Sequence, residues 1–551
     1  MMEGAGTPEA SFLPSQSTRA LPSQLAALLP AQSMGTGSLN AVLFACIAAI
    51  GPLIFGYTLG YTSPSDLAME ASSEDHILAA SLQSCADKPC GLSSQEVSVY
   101  GSVVNVGCMI GALLGGQLCD LIGRKGTIMV SALPWLGSWV LQGLSGSFAP
   151  LLVGRVICGV AVGIASTSVP VFISEMSPTA LRGALGAVNQ LAVTMGIFLV
   201  YLLGDMLTHR QQTIFACNFS TSHDQCRDVV SDWQCVHGAS PSADVCYANL
   251  SEWRALAFIG AGLSCALFLG VLLLVPETPA HLVSSGRLEE ARRVLSRVRD
   301  SPMEVEREFE QLKASSLSST SADEGGQLTG FVADAPDEAK KVGGLRGLMV
   351  KGVRQPFAIG CTLMITQQFS GINAVIFYSG DILATTGMED PNVGGLLVMG
   401  IQVVMTFVSV ILMDRAGRRP LLLISLGGMT IAATLLAVFY LNGKSPGQLA
   451  LFSLIMYIVT FSLGLGAIPW LIMGELFPSH VRAAASSVAA LFNWLLSFIV
   501  TLCFQTVADA LTQGGAFLLF AGICLSGFTF VFFLVPETRG KSFDEIAALF
   551  E

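Results

Sequence analysis

The chain has 551 residues, of which 52% are hydrophobic and only 12% charged. A soluble domain carries about twice that charged fraction, so a water-soluble globular protein is excluded. The net charge of −11 identifies no partner and gives no ground for a nucleic-acid-binding role.

Residues 1–38 read as a polar, Ser/Pro-rich cytoplasmic N-terminal tail without a basic-then-apolar signal peptide. Apolar runs of about 20 residues then recur, each able to cross roughly 30 Å of hydrocarbon. Twelve spans are predicted, six before residue 276 and six after residue 353. The fold class is therefore all-α, a polytopic membrane protein with twelve transmembrane helices in two pseudo-symmetric six-helix bundles.

In the first half, span 1 (39–61) contains "FGYTLG", and the loop after it carries Cys85 and Cys90. Span 2 ends on "DLIGRK" (120–125), with Asp120 and Arg124. Span 4 holds Arg155 in "GRVICGVAVG" and ends on "EMSPTALRG", with Glu175 and Arg182. Span 5 brings Asn189 and Gln190. The segment 205–252 follows, with Cys217, Cys226, Cys235 and Cys246 and the glycosylation triplets of Asn218 and Asn249. Span 6 closes the half at "PETPA", with Glu277.

Residues 280–353 form a linker, whose first part predicts short charged amphipathic helices and whose Ser-rich part from 315 predicts a flexible segment. In the second half (354–536), span 7 carries Gln367, Gln368 and Asn373, and span 8 carries Gln402 and ends on "DRAGRR", with Asp414, Arg418 and Arg419. Span 10 carries Trp470 after "GAIP" and ends on "ELFPSHVRA", with Glu475 and Arg482; span 11 carries Asn493. After "PETRG", with Glu537, residues 537–551 form a C-terminal tail.

The phrases D-x-x-G-R-[KR], E-x-x-P-x-x-x-R and P-E-T thus occur twice, in the same order. A duplicated unit spanning 39–279 and 354–536 puts a solute site between the halves. The interval from Glu175 to Glu277 is much longer than that from Glu475 to Glu537, which marks 205–252 as an insertion. Most of the 28 lysines and arginines fall on one side; only Lys88, Arg210, Arg227, Arg254 and Lys444 face the other. Both termini are therefore expected in the cytoplasm. The six outward cysteines predict disulfides with fifteen pairings open, and a zinc site is the weaker reading because no C-x-x-C supports it.

An ionisable group inside a membrane is expensive, and the spans hold almost none besides Arg155. Their polar groups are amides, each a donor and an acceptor together, which suits a neutral polyhydroxylated solute beside the Trp470 ring. The plain alternative is that such amides glue helices together. The acids and arginines of the duplicated phrases are expected to pair across the halves and latch the inner mouth when the outer one is open.

Together, "GGQLCDLIGRK", "GRVICGVAVG", "PVFISEMSPTALRG", "NQLAVTMG", "QQFSGINAVIFY", "DRAGRRP", "GAIPWLIMGELFP", "FNW" and "PETRG" resemble the sugar porter family of the major facilitator superfamily over residues 40–541. The resemblance implies alternating access, with a hexose contacted by Gln190, Gln367, Gln368, Asn373, Trp470 and Asn493. It implies an outer gate at Phe377 and Tyr378. Proton-coupled members carry an acid in an "FGYD" pattern that pairs with the span 4 arginine; here Thr58 stands at that position. Phe172 replaces the usual tyrosine, and Gln402 and Ser462 stand where many glucose facilitators have asparagine and glutamate. The reading is a facilitator of monosaccharides acting by uniport, in the plasma membrane or alternatively an endolysosomal or vacuolar one. A proton-coupled porter using Asp205 and a non-transporting sugar sensor are the rivals. No enzyme chemistry, cofactor, metal or obligatory protein partner is implied.

Overall fold

The computed structural model of the protein describes residues 35–62, 65, 94–178, 181–215, 233–237, 244–248, 252–323, 353–377, 383, 391–477, 482–539, 545 and 550. The first half contains α1 (Thr36–Ala48), α2 (Ile50–Gly60), α3 (Ser94–Leu144), α4 (Phe148–Met176), α5 (Arg182–Phe215) and α6 (Glu252–Leu274). Between α5 and α6 lie two antiparallel strands, β1 (Trp233–His237) and β2 (Asp244–Ala248). Three short helices follow, α7 (Pro279–Ser284), α8 (Leu288–Val298) and α9 (Pro302–Asp323). The second half contains α10 (Arg354–Phe369), α11 (Ile372–Phe377), α12 (Pro391–Ala416), α13 (Arg418–Leu441), α14 (Gly447–Leu463), α15 (Ile468–Leu476) and α16 (Arg482–Leu534). Ten of the described helical segments are long and apolar enough to cross a membrane. A helix satisfies its own backbone polar groups, and lipid offers them nothing, so long apolar helices are what this composition has to form.

The duplicated phrases shape both halves in the same way. α3 is two helices that meet at Gly123, which has φ +80°, and α12 meets α13 at Gly417, which has φ +94°. Glycine adopts this left-handed backbone without a steric penalty. At each turn the P-E-T glutamate is seated on the start of the next helix. Glu277 accepts from the backbone N–H of Arg124 at 3.0 Å and of Lys125 at 3.1 Å. Glu537 accepts from Arg418 and Arg419 N–H, both at 3.0 Å. A Cβ on Gly123 would lie 2.3 Å from the Glu277 carboxylate, and one on Gly417 would lie 2.6 Å from that of Glu537. The carboxylate satisfies two orphan donors and meets the positive end of the helix dipole. Burial alone would raise the Glu537 pKa, but the N–H groups of Arg539, Arg418 and Arg419 hold it below the ordinary value.

Packing within the first half depends on small residues. A Cβ on Gly159 of α4 would lie 2.0 Å from the Val104 carbonyl of α3, and one on Gly111 would lie 2.1 Å from the Val160 carbonyl. Backbones this close are what small-xxx-small faces allow in a bilayer. Beyond the spans, Arg299 anchors the short helices. It pairs with Glu308 and donates to the Met176 and Ser177 carbonyls at the inner end of α4. Asp300 accepts from Gly37 and Ser38 N–H at the start of α1. The Ser38 hydroxyl, then those N–H groups, hold its pKa below the usual carboxylate range. Helix α9 continues through the Ser-rich stretch to Asp323, where the sequence predicts flexibility from 315. Extending an existing helix costs far less than nucleating one, so weak formers are carried along.

Candidate functional site

Two helices of the second half are broken, and hydrogen bonds link the two breaks. Between α10 and α11 the chain turns at Ser370 and Gly371, with φ +90° at Gly371. Between α14 and α15 it unwinds at Gly464 to Ala467, and Pro469 falls in the first turn of α15 rather than kinking a continuous helix. Broken backbone at membrane depth leaves carbonyls that need donors. Tyr457 Oη donates to the Ser370 carbonyl at 2.6 Å. Gln367 Nε2 donates to the Leu465 and Gly466 carbonyls at 2.7 and 3.1 Å.

From Gln367 a buried chain of amides runs outward. Asn493 Nδ2 donates to Gln367 Oε1 at 3.0 Å, and Gln368 Nε2 donates to Asn493 Oδ1 at 3.0 Å. Asn373 Nδ2 donates to Gln368 Oε1 at 2.6 Å and to Ser497 Oγ at 2.7 Å. Ser497 Oγ then donates to Asn105 Oδ1 of α3 at 3.0 Å, so the chain crosses into the first half. Asn105 Nδ2 also points to Thr501 Oγ1, at 3.4 Å. Gln367, Gln368, Asn373 and Asn493 are thus brought together as the sequence expects. Asn105 and Ser497 were missed, each a single small polar residue in an apolar run.

The other expected contacts stand apart from that chain. Gln402 on α12 is buried, and its Oε1 has no hydrogen-bond partner; the same holds for the Oγ of Ser462 on α14. An unpaired buried acceptor costs about 1–3 kcal/mol. Gln190 and Asn189 are half-buried on α5, and Trp470 is half-buried on α15. Phe377 ends α11, but its side chain and all of Tyr378 lie outside the described residues.

Arg155 is fully buried on α4. It donates to the Thr58 carbonyl and to Thr62 Oγ1, both at 3.0 Å. Its guanidinium stands 4.3 Å from the Tyr100 ring centroid and 5.0 Å from that of Tyr61. None of these partners is a carboxylate. The Thr58 hydroxyl turns away to the Ile54 carbonyl at 2.8 Å. Two aromatic faces supply the negative potential that a counter-ion would otherwise provide.

The described bonds of the charged phrases lie within their own halves. In this structure Arg124 pairs with Glu175 of its own half at 3.0 Å, and Glu277 and Glu537 serve the turns of their own halves. Arg418 donates to the Met413 carbonyl at 3.0 Å, as Arg124 does to Cys119 at 3.3 Å, and Arg419 reaches the Phe532 carbonyl. Asp120 is exposed. The side chains of Arg182, Asp414, Glu475 and Arg482 lie outside the described residues. Three described hydrogen bonds join the halves and fasten them on the outer side: Ser497 Oγ to Asn105, Asn105 Nδ2 to Thr501, and Tyr201 Oη to the Ile376 carbonyl at 2.7 Å.

On the outer insertion, Cys235 and Cys246 stand directly opposite each other in the β1–β2 register. Cys85, Cys90, Cys217, Cys226, Asn218 and Asn249 lie outside the described residues.

Comparison with known proteins matches residues 44–223 and 236–550 to the family described as "Sugar (and other) transporter". The chain is 34% identical to the "Sugar transporter ERD6-like 6" of Arabidopsis thaliana, over 94% of this chain and 92% of that protein. It is 33% identical to the "Facilitated trehalose transporter Tret1" of Bombyx mori, over 92% of this chain and 86% of that one. Among solved structures, the proton:xylose symporter XylE bound to 6-bromo-6-deoxy-D-glucose superposes with a TM-score of 0.68 at 23% identity. That match covers 94% of this chain and 100% of XylE.

Proposed function

The chain belongs to the sugar porter family of the major facilitator superfamily, and we propose that within it this protein is a passive facilitator of monosaccharides, glucose and related hexoses first. It is a multi-pass membrane protein and a sugar transporter, not an enzyme. The observation that carries the substrate class is the amide chain Gln367–Asn493–Gln368–Asn373, buried beside two broken helices and free of any charged side chain. Each amide exchanges a bond to its neighbour for one to a sugar hydroxyl, so occupancy costs little in unmet hydrogen bonds. Gln402 and Trp470 complete the contacts on the second half, and Gln190 adds one from the first. Passive transport is supported by Arg155, whose described partners are a carbonyl, a hydroxyl and two rings. None of these described partners is an acid that could load and release a proton in step with sugar.

In the cycle, Phe377 and Tyr378 close the outer side over the sugar. On the inner side Glu175 and Glu475, Arg182 and Arg482, and their neighbours Asp120, Arg124, Glu277, Asp414, Arg418, Arg419 and Glu537 latch the mouth when the outer side opens. The second carboxylate oxygen of Glu175 is buried without a partner here, which leaves it available for that pairing. The protein works in the plasma membrane on this reading.

The sugar itself is tested by uptake of labelled glucose into proteoliposomes in competition with fructose, galactose, xylose, inositol and trehalose. Competition by hexoses and none by trehalose is the expected order. Preferential uptake of trehalose, named for the Bombyx relative, would replace the monosaccharide reading with a disaccharide one. The outer insertion is read as disulfide-stapled and glycosylated at Asn218 and Asn249, and the facing register pairs Cys235 with Cys246. Directly opposed residues in an antiparallel pair have Cα atoms about 4.5–5.5 Å apart, inside the range a disulfide spans. Non-reducing peptide mapping is expected to recover that cross-linked pair; free thiols at both positions would remove it.

A further inference from the structure

Asn105 comes from the first half, yet it is bonded into the amide chain of the second. It is fully buried, as are Ser497 and Thr501 to within 1%. Ser497 Oγ has two roles at once. It accepts from Asn373, a residue of the sugar pocket, and donates to Asn105 across the interface between the halves. A hydroxyl that accepts a hydrogen bond becomes a better donor, so the two bonds strengthen each other. Asn373 also donates to Gln368, so both of its amide hydrogens are engaged.

We propose that Asn105 is a positioning residue of the transport cycle, which through Ser497 ties closure of the outer side to the state of the sugar pocket. The proposal rests on the pocket reading given above. With the pocket amides bonded to one another, Asn373 polarises Ser497 and Ser497 holds Asn105, so the halves stay fastened outside. A sugar hydroxyl that donates to Asn373 Oδ1 leaves Nδ2 on Ser497, so the fastening to Asn105 holds while the outer side is closed over the sugar. Tyr201, bonded to the Ile376 backbone carbonyl, fastens the same side without touching any pocket amide, so it lacks this coupling.

The proposal predicts a change of sidedness, which a general loss of packing does not produce. Removing the Asn105 bond favours the outward-facing state, and apparent affinity on each side scales with the population that binds there. In Asn105→Ala, the KM for sugar entry falls and the KM for exit rises. The ratio of exit to entry KM rises about fivefold, the worth of one neutral hydrogen bond. Ser497→Ala cuts the same bond from the other half and shifts the ratio in the same direction, so the test survives if the Asn105 variant is not recovered. The double variant shifts the ratio by less than the sum of the single variants, because both lose the same 3.0 Å bond and only the longer Asn105–Thr501 contact is lost separately. Equal scaling of both KM values, or additive effects in the double variant, overturns the proposal. The pocket reading fails separately, if Gln368→Ala leaves uptake intact while the Asn105 ratio still moves.

Discussion

Gln368→Ala is expected to lower sugar uptake by at least tenfold while the protein still folds and reaches the membrane. Gln368 is the middle of the amide chain: it donates to Asn493 and accepts from Asn373, at 3.0 and 2.6 Å. Truncation removes a donor and an acceptor for the sugar together. It also strands Asn493 Oδ1 and one Asn373 donor, groups that cost about 1–3 kcal/mol each when buried unpaired. A site built to bond a hydroxyl discriminates strongly once its partner is missing, and a tenfold loss is only about 1.4 kcal/mol. Transport by the variant at the wild-type rate, with equal protein in the membrane, would remove Gln368 from the site. Gln368→Glu separates size from chemistry. It keeps the shape but brings a charge into a pocket with no basic side chain in the chain of amides, so it too is expected to lose uptake.

Arg155 makes the second large prediction. Its two donated bonds and two ring contacts fix a planar cation with no carboxylate among its described partners. Cation–π contacts are worth about 2 kcal/mol when desolvated, so two of them match a buried ion pair in scale. Arg155→Lys keeps the charge but replaces the flat guanidinium with a compact, strongly hydrated ammonium that cannot stack between Tyr61 and Tyr100. A loss of about 2–4 kcal/mol is expected from this nominally conservative change. Tyr100→Leu, which removes the nearer ring at 4.3 Å, is expected to lose about half as much. Thermal unfolding of the purified variants in detergent is the measurement. A lysine variant as stable as the wild type would mean that the rings do not hold the charge.

Much of this arrangement was legible in the sequence, and the reasons are local. The repeated D-x-x-G-R-[KR] and P-E-T phrases announced the duplication because each carries one physical task. A glycine takes the left-handed turn, and a glutamate seats on the helix that follows, at Gly123 with Glu277 and at Gly417 with Glu537. Gln367, Gln368, Asn373 and Asn493 were legible because amides are rare in apolar spans. Their meeting at two breaks was not, since which freed carbonyls come to face Gln367 depends on how the two helices pack. Asn105 escaped notice because one asparagine among valines reads as helix glue until its partner on the other half is known. Charge pattern gives the ends of helices but not the state of the cycle, and with the outer side fastened Arg124 pairs inside its own half.

Passive sugar transport is tested most directly by initial-rate and end-point uptake of labelled glucose into proteoliposomes, with and without an inward proton gradient. Equal initial rates and uptake that stops at equilibrium are predicted, because Arg155 has no carboxylate among its described partners through which a proton could be coupled. Accumulation above equilibrium that a protonophore abolishes would contradict the account and turn attention to Asp205 as the coupling acid.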